Sequence, residues 1–231
     1  MDPGVVLFDL DGTLTESGPG IVRSVAYALD AVGLPPLDAA ALARFIGPPL
    51  LDSFRDVAGL DQAASHEASV AYRRYFKERG MFENSVYPGI ADLLRSLRDA
   101  GRRLAVATSK PTPYALPIIE HFGLHEYFRA VCGPDRDGPN ADKTIVVAGA
   151  LALLDVVPGP DVVLIGDRFH DVVGAHANGI ACIGVLWGYG SRAELTTAGA
   201  DALVTDVDEL ATLLGVGATS YASSAGDDAF A

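Results

Sequence analysis

The sequence predicts an α/β fold: a parallel sheet with helices on both faces, interrupted once by a helical insert. Three observations lead there. Short runs of β-formers alternate with helical patterns from about Pro88 onward. One such run, Val5–Leu10, stands alone far upstream. Between them, from about Ser17 to Tyr87, the chain shows helical periodicity and no convincing strand.

Each element follows from its own signals. Val5–Leu10 reads as the first strand, ended by the turn chemistry of Asp11-Gly12-Thr13. A helical pattern from Ile90 closes at Gly101, and Arg103–Thr108 reads as a second strand. Pro111 opens and Gly123 stops a helix. Ala130–Cys132 is a weak third strand, followed by a helix over Asp142–Leu154. Asp161–Ile165 is the fourth strand, and a helix over Phe169–Asn178 closes on Gly179. Ile180–Val185 and Ala202–Val204 complete the strands before a last helix near Val207–Leu214. The predicted organisation is a core of 1–16 and 88–216, a helical cap of 17–87, and a small, acidic, frayed tail over 217–231.

Composition narrows the function. The 231 residues are 49% hydrophobic and 20% charged, with a formal net charge of -13. Such an acidic surface repels nucleic acid and anionic lipid, so neither a nucleic acid polymer nor a membrane is expected as partner. No apolar run reaches the roughly 18 residues of a membrane span, so a cytoplasmic protein is expected. Cys132 and Cys182 each lie in a strand-like run and read as buried free thiols.

Ligands of open parallel sheets bind outside the carboxyl ends of the strands. Asp9, Asp11, Gly12 and Thr13 follow the first strand, and Thr108, Ser109 and Lys110 the second. Gly166, Asp167, Arg168 and Asp171 follow the fourth, and Lys143 opens the helix after the third. Asp9 and Asp11 project to one side if the chain is extended, and two such carboxylates stay ionised beside a cation. Asp167 adds a third hard oxygen ligand, which suits Mg²⁺. A carboxylate can attack phosphorus, and a second can give and take a proton. Thr108, Ser109 and Lys143 suit phosphoryl oxygens, and Gly12 lets backbone N–H groups approach them.

Phe8-Asp9-Leu10-Asp11-Gly12-Thr13-Leu14, Thr108-Ser109, Lys143 and Gly166-Asp167-Arg168-Phe169-His170-Asp171 together resemble the four ordered motifs of the haloacid dehalogenase-like superfamily. The resemblance implies a Rossmann-like core, a mobile cap, Mg²⁺ and an aspartyl-phosphate intermediate. It makes Asp9 the nucleophile and Asp11 the general acid/base. Asp9, the backbone carbonyl of Asp11, and Asp167 become metal ligands, with Asp171 in support.

Ser17–Ile21, Phe45–Leu50 and Ala107–Thr112 are similar to a branch of phosphoglycolate phosphatases and 5′-nucleotidases. By that likeness Arg44, Ile46, Gly47 and Pro48 line the cap side, and the substrate is a small phosphomonoester. Alternatives on the same scaffold are a sugar-phosphate mutase, disfavoured by Thr13, and a protein tyrosine kinase, for which a protein is the substrate.

Other features carry less. Gly138 with Lys143-Thr144 imitates a nucleotide loop but has Asp142 where a Gly is needed. His170 and His176 form no metal pattern, and Trp187 and Tyr189 read as packing residues. Arg73, Arg74 and Lys77 read as a solvated helix face.

Overall fold

The computed structural model describes residues 1–47, 50–135 and 142–217. Pro48, the imitation loop starting at Gly138 and the acidic tail beyond 217 lie outside these. The strands are β1 (Val5–Phe8), β2 (Arg103–Ala107), β3 (Ala130–Cys132), β4 (Val162–Gly166), β5 (Ala181–Val185) and β6 (Ala202–Val204). The helices upstream of β2 are α1 (Gly18–Ala31), α2 (Ala39–Ala43), α3 (Leu50–Asp56), α4 (Gln62–Glu78) and α5 (Ile90–Asp99). Those downstream are α6 (Thr112–His121), α7 (Lys143–Leu153), α8 (Phe169–Ala177), α9 (Arg192–Ala198) and α10 (Val207–Leu213). Short 3₁₀ turns occupy Gly80–Phe82 and His125–Tyr127.

These six strands pair in parallel throughout, in the order β3-β2-β1-β4-β5-β6. β1 and β4 lie at the centre, where the chain reverses its direction of travel across the sheet. That is the crevice in which ligands of such sheets bind.

Side chains alternate along β1 as the pleat requires. Val6 and Phe8 join one core cluster, with residues of α5, α6 and α10. Val5 and Leu7 join the other, with residues of α7, α8 and α9. Burial on both faces explains why β1 reads as a continuous apolar run rather than an alternating one.

Among the described residues, the named elements between β1 and α5 are all helices, with α1 packed along α4. Its apolar residues Ile21, Val25, Phe54 and Phe76 continue the first core cluster. The two ends of the segment are tied together. Glu16 N donates to Ser85 O (2.8 Å), and Tyr87 N to Leu14 O (3.1 Å).

One close approach sets the α1 position. A Cβ on Gly20 would collide with the Gly80 carbonyl, and the nearby Ser24 hydroxyl donates to Gly20 O at 2.6 Å. Gly20→Ala is therefore expected to destabilise by about 1–3 kcal/mol, as overpacking does. That corresponds to a fall of roughly 2–12 °C in a thermal melt; an unchanged melt would show that the two backbones can separate freely.

Element edges differ from expectation by a residue or two. Leu10 and Thr108 lie beyond their strands because the chain turns there to present the polar residues. α9 is an element that the sequence does not predict. Its seven residues bury little beyond Leu195, too short a pattern to announce itself.

Candidate active site

Asp9 leaves the carboxyl end of β1, with its N–H bonded to Ile165 O of β4 at 2.9 Å. The residue is 8% exposed. Its partner is Lys143, the first residue of α7. Asp142 caps that helix by accepting from Thr144 N at 2.8 Å, which fixes where Lys143 enters. The Lys143 ammonium faces three oxygens: Asp9 Oδ1 at 2.7 Å, Asp171 Oδ1 at 2.7 Å and Ala107 O at 3.0 Å. Lys143 is thus buried, not a solvated helix start. Burial works against its charge, but Asp171 and then Asp9 outweigh that and hold its pKa above the ordinary lysine value.

Asp167 follows β4 and is fully buried. It accepts from Thr13 Oγ1 (3.3 Å) and from Tyr189 N (2.8 Å). Gly12 makes this approach possible: it sits at φ 85°, and a Cβ there would collide with the Asp167 carboxylate. Asp171, on the first turn of α8, accepts from Arg168 N at 3.0 Å through its other oxygen. It therefore holds Lys143 and the helix start together.

Asp9, Asp167 and Asp171 each offer a carboxylate oxygen within 4.8 Å of the others. Three acids against one ammonium leave excess negative charge out of water. Burial lifts Asp9 to about 6, against the lowering pull of Lys143. Burial, then Asp171 and Asp9, lift Asp167 to about 8. Buried hard-oxygen donors with uncompensated charge fit a divalent cation such as Mg²⁺.

In the metal-free protein these acids make stability depend on pH. The folded pKa values of both acids exceed the ordinary 3.8. The folded state then binds more protons than the unfolded one, and stability falls as pH rises through about 4 to 8. A divalent cation competes with those protons. The rise in melting temperature caused by Mg²⁺ should be larger near pH 8 than near pH 5. An equal rise at both would rule out binding at these acids.

β1 ends at Phe8, so Asp11 lies beyond the strand. Its carboxylate pairs with Lys110 Nζ at 3.0 Å, while Asp171 joins Asp9 and Asp167 in the acidic cluster. Thr108 is buried at the end of β2, and its Oγ1 accepts from Lys110 N at 3.1 Å. It does not cap α6, whose N-cap is Pro111. Ser109, half-buried, adjoins it.

Arg44 and Ile46 line a cavity of about 380 Å³ together with Ser53, Arg168 and Tyr189. Trp187 and Tyr189 prove to be more than packing. Trp187 Nε1 donates to Thr13 O at 3.1 Å, and the Tyr189 hydroxyl accepts from Gly18 N at 2.7 Å. The alternation Gly188-Tyr189-Gly190 after a strand was the available signal, since paired glycines mark close backbone approach.

A parallel sheet with acids from two central strands and a buried lysine at its switch point defines an α/β enzyme of the carboxylate-dependent kind. A family model described as haloacid dehalogenase-like hydrolase matches residues 6–185. The chain belongs to that family. It is 45% identical over 217 residues to the tyrosine-protein kinase PtkA of Mycobacterium tuberculosis, covering 93% of this chain and 73% of that protein. It is 44% identical over 190 residues to a 5′-nucleotidase of Pseudomonas aeruginosa, covering 82% and 86%. Among solved structures, one described as a predicted phosphatase from Clostridium acetobutylicum superposes with TM-score 0.85 at 45% identity, over 93% of this chain and 99% of that one. The PtkA structure gives 0.81 at 44% identity, over the same shares. No helix of the described residues is long and apolar enough to cross a membrane.

Proposed function

We propose that the protein is a Mg²⁺-dependent phosphatase that hydrolyses a small phosphomonoester through an aspartyl phosphate on Asp9. The observation that carries this reading is the Asp9 carboxylate, held at the end of the central strand by Lys143 at 2.7 Å. Relatives named 5′-nucleotidase and phosphoglycolate phosphatase support the same chemistry.

Asp9 attacks phosphorus, and the leaving oxygen departs with the bonding electron pair and a proton from Asp11. Asp11, now a carboxylate, removes a proton from water, which attacks the phosphorus and frees Asp9. Thr108, Ser109 and backbone N–H groups near Gly12 receive the phosphoryl oxygens. Lys143, whose ammonium lies within 3.0 Å of three protein oxygens, orients the nucleophile and offsets its charge. A cation bound by Asp9, Asp167 and the Asp11 carbonyl would neutralise charge on the phosphoryl group, with Asp171 in support.

In this reading residues 17–87 form a cap over a core of 1–16 and 88–216. The cavity lined by Arg44, Ile46 and Arg168 receives the leaving group.

Phosphate release from a panel of monoesters tests the proposal: phosphoglycolate, nucleoside monophosphates, sugar phosphates and phosphotyrosine, each with Mg²⁺ or EDTA. The expected result is metal-dependent turnover concentrated in one class. Release from none would overturn it. Transfer of label from ATP to tyrosine would then favour the kinase reading, which the 45% identity to PtkA supports.

A further inference from the structure

We propose that Lys110 is a positioning residue for Asp11, seated on the ring of Phe76 from the helical insert. The inference rests on the phosphatase reading and adds to it a residue with no role in the acid cluster. Lys110 Nζ lies 3.0 Å from Asp11 Oδ2, and its side chain is 8% exposed. On its other side the ammonium sits 4.6 Å from the centroid of the Phe76 ring. A cation so placed is attracted by the ring face, more strongly where water is excluded.

Both supports are themselves held. The Lys110 N–H donates to Thr108 Oγ1 at 3.1 Å, which fixes the base of the side chain. Phe76 is 4% exposed. It stacks on Tyr72 (5.5 Å, 10°) and meets Tyr114 of α6 edge-on (5.5 Å, 88°).

The consequence falls on the Asp11 carboxylate. Lys110 engages Oδ2, while Oδ1 is buried with no hydrogen-bond partner. The ion pair holds Oδ2 and so fixes the direction in which the carboxylate points. Phe76 belongs to α4, so the ring face is present when α4 lies over the site. Movement of α4 away would expose the ammonium to water and loosen its hold on Asp11. The residue links closure of the insert to the aim of the acid/base.

The test exploits leaving-group chemistry. An alkoxide leaves poorly unless protonated, whereas a nitrophenolate leaves without help. Lys110→Met keeps an unbranched stem and removes the charge. Its kcat/KM on phosphoglycolate or glycerol phosphate should fall about tenfold or more beyond any fall on p-nitrophenyl phosphate. Phe76→Leu should move the ratio the same way by less. Equal losses on both esters would mark a merely structural role and overturn the proposal.

Should the wild type turn over no alkyl phosphate, the phosphatase reading fails separately. A double-mutant cycle of Lys110→Met with Asp11→Asn in thermal unfolding then decides the pairing. Non-additive changes support it, and additive ones overturn it.

Discussion

Asp9→Asn is expected to lower kcat by at least about 10³-fold on every substrate the protein accepts, because the amide cannot attack phosphorus. The fold should survive. Asn is isosteric with Asp, and Lys143 keeps Asp171 as a charged partner at 2.7 Å. The substitution also removes one of three crowded acids, whose burial already lifts the Asp9 pKa to about 6. The melting temperature in EDTA should therefore stay close to wild type while turnover vanishes. Steady-state kinetics and a melt on the same preparation check both halves. A variant that keeps near-normal turnover would remove Asp9 from the nucleophile's role.

Lys143→Ala carries the second large effect, and here stability and activity fall together. The ammonium is the common partner of Asp9 and Asp171. Its removal leaves buried acids facing one another with no cation between them. Breaking such a buried pair costs about 3–5 kcal/mol, or roughly 6–20 °C in a melt. The deficit should grow as pH rises through about 6, because Asp9, which burial lifts to about 6, ionises there without its counter-charge. Lys143→Arg should rescue little, since a planar guanidinium does not reproduce three contacts made from one nitrogen. Melts in EDTA across pH decide the matter. A loss that is small and independent of pH would mean that Lys143 does not balance these acids.

Most of the architecture was legible in the chain. β1 is short, apolar and β-branched, and its burial on both faces gives it a plain signature. The Gly and Asn residues that close α5, α6 and α8 marked those helices. The acids legible as site residues were those directly after strands, since parallel topology sends all such positions to one rim. α9 was hidden for a different reason, being too short and too exposed to show a period.

The local sequence by itself determined that this is a parallel α/β chain with a helical insert, and that Asp9, Asp11, Asp167 and Lys143 stand at strand ends or helix starts. Those facts depend on periodicity, turn chemistry and end-of-strand placement, each confined to a few residues. The tertiary structure decided the partnerships. It gave Asp11 to Lys110 and Lys143 to both Asp9 and Asp171, set Tyr189 N against Asp167, and laid Phe76 of α4 over Lys110. The residues in each pair come from different elements. Their meeting depends on strand order, helix packing and the space left by Gly12, and no local pattern records those long-range distances.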